Sequence, residues 1–132
     1  MNGNKVNFRI PYPRPQKLSD PCGDFTNCPD ALLSIIEKAD DLMDWRDYRC
    51  IFQVGLPAAT YEEGIYFIPY AFEYIRERPS DGYECIANLI WFISEHHSLL
   101  EKEGLLAQCY CAIRLIFQDW TLSFNIIRDL ES

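Results

Sequence analysis

The stretch "YEEGIYFIPYAFEYIRER", residues 61–78, decides the fold. Its apolar residues Ile65, Ile68, Phe72 and Ile75 recur at spacings of three, four and three, the stripe of one helical face. Thr60 followed by Glu63 fits a capping box, in which each side chain satisfies the other residue's free backbone N–H. Pro79 is placed to end the element. Pro69 stands against it, as a proline too far in for a first helical turn. In a helix interior proline lacks the N–H for one hydrogen bond, crowds the preceding turn and costs about 3 kcal/mol. Because the apolar rhythm continues on both sides, the spacing predicts one long helix kinked at Pro69.

The segments outside this stretch repeat the helical period. "PDALLSIIEKADDLMDW" (29–45) has apolar residues at 32, 35, 36, 39, 42 and 43, which predicts a first helix from Asp30 with Glu37, Asp40, Asp41 and Asp44 turned outward. A short helix or turn in "RDYRCIFQVG" (46–55) follows and stops at Gly55–Leu56–Pro57. A third long helix opens at Ser80 or Asp81, with Ile86, Leu89, Ile90, Ile93 and Leu100 in one stripe. Trp91 and Phe92 widen that stripe, so this element is apolar nearly all round and belongs at the centre. "EGLLAQCYCAIRLIFQDW" (103–120) supplies a fourth helix and "TLSFNIIRDL" (121–130) a last piece.

Residues 1–29 hold five of the eight prolines and predict an extended arm with one short strand at Val6–Ile10. Residues 30–132 then form a single helical domain. No strong run of strict alternation separates the helices, and Asp81–Gly82 sits at a helix start rather than between two strands. The fold class is therefore all-α, a short curved stack of about five helices with a proline-rich arm.

Two resemblances extend this reading. "GIYFIPYAFEYIRERPSDGYECIANLIWFIS" is similar to a HEAT-type helical hairpin, with Ile68–Pro69–Tyr70 as the proline motif and Pro79–Gly82 as the turn. That resemblance implies a curved α-solenoid packing over about residues 57–118. A shift of 40 residues also carries Glu63, Gly64, Ile65, Tyr70, Ala71 and Ile75 onto Glu103, Gly104, Leu105, Tyr110, Cys111 and Leu115, as a helical repeat would. More loosely, small acidic all-helical chains without catalytic motifs resemble immunity proteins of bacterial polymorphic toxin systems. The resemblance implies binding to one toxin domain and carries no residue roles with it.

Charge narrows the partners. The net charge of the 132 residues is -8. Residues 1–19 hold Lys5, Arg9, Arg14 and Lys17 and no acid; the rest hold 8 basic and 20 acidic residues, for -12. Such a body repels phosphate backbones and anionic lipid, so neither nucleic acid nor membrane is expected as a partner, whereas a basic protein domain is. No stretch of about 18 apolar residues is present. The N-terminus shows no apolar run of signal-peptide length, which sets the expectation of a cytoplasmic protein.

Catalytic chemistry finds little footing. On a helix, Cys109 and Cys111 point to opposite sides and His96 and His97 do not face one ion, so no metal or other cofactor is expected. There is no G-x-S-x-G and no glycine-rich phosphate loop, and no enzymatic activity is expected; the alternatives to a binding inhibitor are a small HEAT-like adaptor and an enzyme of unrecognised type that would use His96 or His97. Asp40 and Asp44 share a face of the first helix; such a carboxylate pair could bind a cation or act as general acid and base, but on an outer helix face it is read as a solvated surface or partner contact. Tyr66, Tyr70, Glu73 and Glu77 make a second face on the 61–78 helix, flanked by Tyr61, Glu62 and Tyr74. Tyrosine is enriched at interfaces, and two places are open to these rings: packed under the arm or a neighbouring hairpin, or facing a partner. The candidate partner-binding residues are Asp40, Asp41, Asp44, Glu62, Tyr66, Tyr70 and Glu73.

The six cysteines, four of them in apolar stretches, are read as reduced thiols. Thiol titration of the unfolded, unreduced chain is expected to count six. A count of two or fewer would overturn both the redox state and the expected compartment.

Overall fold

Helix α3 (Tyr61–Glu77) runs through Pro69 without interruption. It lies in a computed structural model that describes residues 6–131, with side chains through Leu122; residues 1–5 of the expected arm and Ser132 lie outside the described residues. The capping box is present: Thr60 Oγ1 accepts from the Glu63 N–H at 3.4 Å, and Glu63 Oε1 accepts from the Thr60 N–H at 3.0 Å. Ile65, Ile68, Phe72 and Ile75 are buried, as their spacing requires. Phe67, Ala71 and Tyr74 are buried as well, so α3 is covered on more than one side.

Among the described residues five further α-helices complete the fold: α1 (Pro29–Ile36), α2 (Trp45–Phe52), α4 (Gly82–Glu95), α5 (His97–Lys102) and α6 (Leu106–Glu131). All regular elements are helical. The apolar α4 is central and touches α2, α3, α5 and α6. Two long helices approach closely where α3 has Gly64 and α4 has Phe92. The Phe92 ring is fully buried, edge-on to Phe52 at 5.0 Å and against His96 at 4.6 Å. No helix of the described residues is long and apolar enough to cross a membrane.

Four details differ from the sequence expectation. The first helix does not run from Asp30 to the tryptophan at 45. It ends after Ile36, Ala39 is extended, Asp40–Leu42 make a single 3-10 turn, and α2 starts afresh at Trp45. The reason is competition for backbone groups. Arg14 takes the Ile36 carbonyl at 2.9 Å and the Lys38 carbonyl at 2.6 Å, the acceptors a continuing helix would use. Asp44 meanwhile caps α2 in a capping box with Asp47. Leu42, expected on the buried face, is left 69 % exposed. The third helix breaks at His96 (φ -113°, ψ 24°), whose ring packs between Tyr61 and Phe92. The fourth helix and the last piece are one element, α6, since nothing in 119–122 stops it. Val6–Ile10 is extended but forms no strand. The 40-residue echo pairs helix with helix at Tyr70/Tyr110, Ala71/Cys111 and Ile75/Leu115, whereas Gly64 lies within a helix and Gly104 turns with φ +75°.

A Cβ at residue 64 would sit 2.5 Å from Phe92 Cζ. Gly64→Ala gains helix propensity of about 1 kcal/mol but overpacks a ring that cannot swing away. A net loss of about 1–3 kcal/mol is expected. A lower urea midpoint with unchanged slope checks it; equal or higher stability would mean that the helices separate freely.

Candidate functional site

Residues 6–20 form a strap across α3. Prolines at 11, 13 and 15 lack N–H groups and hold φ near that of an extended chain. Along the strap, Phe8, Ile10, Tyr12 and Arg14 are half-buried, while Asn7, Arg9, Pro11 and Pro13 are exposed. This is the alternation of an extended segment laid on a surface.

Three anchors hold it. Phe8 stacks on Phe72 with ring centroids 6.0 Å apart and planes 9° off parallel. Tyr12 meets Tyr61 edge-on at 6.2 Å. Its hydroxyl donates to Glu103 Oε2 at 2.5 Å, and the Tyr61 hydroxyl donates to the other oxygen of the same carboxylate. Glu103 lies in the turn between α5 and α6, so one carboxylate ties strap, α3 and α5 together. The third anchor is Arg14. Its Nε donates to Asp40 Oδ1 at 2.9 Å, its two terminal nitrogens reach the Ile36 and Lys38 carbonyls, and the guanidinium lies 5.6 Å from the Phe67 ring centre. The second oxygen of Asp40 accepts from the Tyr66 hydroxyl at 2.6 Å. Charge-assisted bonds of this kind are shorter and stronger than neutral ones. Leu18 is then buried, the Ser19 N–H and hydroxyl both donate to Glu63, and the Asp20 N–H donates to the Ala58 carbonyl at 2.8 Å.

The seven expected contact residues separate into groups. Asp40, Tyr66 and Tyr70 come together: the two rings are 5.5 Å apart and their hydroxyls 3.5 Å. Asp41 and Glu62 are exposed on either flank, one beside Asp40 in the 3-10 turn and one a helical turn before Tyr66. Asp44 is turned to α2, where Oδ1 accepts from the N–H groups of Arg46 (3.0 Å) and Asp47 (3.4 Å). Glu73 lies farther along, lining a cleft of about 330 Å³ with Phe8, Pro69, Tyr70, Phe72 and Arg76. Of the two places open to the tyrosines, Tyr61 takes the one under the arm, against Tyr12, while Tyr66 donates to Asp40, the carboxylate that also holds Arg14. Sequence reasoning passed over Tyr12, Arg14 and Glu103. The signal was "FRIPYPR" (8–14), an alternation hidden by prolines that mark a loop.

Other candidate chemistry disperses. Cys109 is buried and Cys111 exposed, on opposite sides of α6. His96 is wedged among rings, and burial pushes its pKa down. His97 instead meets the Tyr110 hydroxyl at 3.1 Å. Among the described residues no three histidines, cysteines or carboxylates gather as a metal site. Comparison of the chain with models of known families, with curated proteins and with solved structures found no match.

The strap contacts leave an electrostatic signature. Hydrogen bonds from Tyr12 and Tyr61 hold the Glu103 carboxyl below its ordinary value of 4.5. Its share of stability is present above that value and is lost as pH falls through the depressed one. The bond to Glu103 pushes Tyr12 from 10.0 up to about 12, so its share is whole below pH 10.0 and is lost as pH rises toward 12. Burial, then the bond to Asp40, raises Tyr66; burial, then Glu103, raises Tyr61. Tyr48 and Tyr74 are raised mainly by burial. At pH 10.0 the native chain is therefore expected to show well under the phenolate absorbance of the denatured chain. Glu103→Gln should restore part of the difference; a folded Glu103→Gln variant with the parent's absorbance would mean that the strap is not seated on Glu103.

Proposed function

We propose that this chain is a protein-binding inhibitor, a cytoplasmic immunity protein that neutralises a cognate bacterial toxin domain by covering its active site. The observation that carries this reading is the disposition of charge. The chain beyond residue 19 holds -12, and Arg14 of the basic arm is already engaged by Asp40. Asp41 and Glu62 stay exposed beside the Asp40–Tyr66 pair. Exposed carboxylates suit a basic protein surface: the charges steer the encounter, and the half-buried Tyr70 is the ring left to anchor it. Inhibition by occlusion needs no bond made or broken, and the chain supplies carboxylates where a toxin would bind the phosphates of its substrate. A small HEAT-like adaptor is the other binding role in keeping with the sequence resemblance.

Affinity capture from producing cells is expected to return a basic toxin domain, and co-expression to protect cells from it. A partner without toxic activity would overturn immunity in favour of the adaptor. Asp41→Lys combined with Glu62→Lys touches two exposed side chains and should leave the fold intact. It is expected to slow association about tenfold or more at low salt, with a smaller effect on dissociation. Unchanged association would place the contact on another face.

A further inference from the structure

The strap is held as an extended ligand is held. Side chains at every second position enter the body, and recognition of extended segments works through such alternate pockets. Among the described residues, the first strap backbone N–H to reach the body is that of Ser19, beyond all three anchors. The groove offers Phe72 and Phe67 to apolar and planar groups, Asp40 to a guanidinium and Glu103 to a hydroxyl. The strap meets the body at a sharp turn. Asp20 is the one non-glycine among the described residues with positive φ (50°), and its Oδ1 is buried without a hydrogen-bond partner. The other oxygen, Oδ2, accepts from the Phe25 N–H at 3.1 Å, so Asp20 belongs to the turn on which the strap ends.

We propose that the α3 groove is a recognition site for an extended segment of a partner protein, with an apolar or aromatic residue at every second position and an arginine closing the run, and that the arm fills it in cis until such a segment replaces it. This deepens the protein-binding role above and rests on it for the identity of the partner. A second copy of the chain is the poorer occupant, because two bodies of net charge -8 repel one another whereas a basic partner is drawn in. The tether gives the arm an effective concentration of roughly millimolar. A competing segment must exceed that advantage, and the exposed Asp41 and Glu62 beside the groove offer charge contacts to do so. Asp40 would otherwise be left without its cation, so the replacing segment must bring one.

The test uses the full-length chain carrying Arg14→Glu, whose own arm meets Asp40 with like charge, and a labelled peptide of residues 6–20. The peptide is expected to bind this variant at least tenfold more tightly than the parent chain, and a peptide carrying Arg14→Glu to lose at least tenfold. A folded variant that binds the peptide no better than the parent overturns the proposal. Should the variant not fold, trypsin on the parent decides: cleavage after Arg9 and Lys17 is expected at least ten times faster than after Lys102 or Arg114, and equal rates would mean that the arm opens only with the whole domain, overturning it. Concentration-dependent dimers of the parent by light scattering would assign the groove to a second copy and overturn the partner form. The peptide assay uses no partner, so its failure leaves the inhibitor role standing, and failure to capture a toxin leaves the groove result standing.

Discussion

The Arg14 guanidinium is the contact on which most of the local architecture around the groove depends. It caps the open carbonyls left at the end of α1, and in doing so forbids the helix to continue. It draws Asp40 into a 3-10 turn against α3, and Asp40 in turn orients the Tyr66 hydroxyl. Its planar fork suits this role better than a lysine point charge, since three separate acceptors lie within reach of one plane. The pair is partly exposed, with side-chain accessibilities of 30 % and 22 %, so its Coulomb attraction is screened. Its effect is geometric: it decides where one helix ends and which way a strap lies.

Glu103 plays the matching part about one and a half turns back, at the N-terminus of α3 beside Tyr61. Two tyrosines from different segments donate to its two oxygens, which satisfies the carboxylate without a cation. Along the strap the groove thus offers the Phe72 ring to Phe8, then the two carboxylates, Glu103 to Tyr12 and Asp40 to Arg14. A basic, aromatic-bearing strand is the natural complement of that surface, and the chain carries one in its own first twenty residues. The same complementarity links the chain's charge asymmetry to its fold. The arm's cation is spent on the body, and the body keeps its acidic exterior for other contacts.

Pro69 also finds a place in this picture. It lies on the side of α3 that faces the strap and α6, lining the cleft with Phe8 and Phe72 rather than the core beneath. A missing N–H there interrupts the helix ladder on a face where another chain segment already covers the backbone. The core face of α3, with Ile65, Ile68 and Ile75 at most 1 % exposed, keeps its regular spacing.

The helices whose signals are local are legible in the amino-acid sequence. The Thr60–Glu63 box, the Ile65–Ile68–Phe72–Ile75 stripe and the all-apolar α4 lie within a few turns of the backbone they organise, so periodicity and capping rules reach them. The divergence of Cys109 from Cys111 is likewise simple helical geometry. The Asp44–Asp47 box that opens α2 is local too. It took the fold itself to stop α1 at Ile36, to turn Tyr61 to the strap and to set Tyr66 against Asp40. Those outcomes depend on partners 22 to 91 residues away, as with Arg14 and the Ile36 carbonyl or Tyr12 and Glu103. A hydrogen-bond donor on an extended arm leaves no periodic trace in the helix whose carbonyl it takes. The strap's own alternation was on the page at residues 8–14, but the prolines that keep it extended are also the mark of a loop, and only the surface beneath it distinguishes the two.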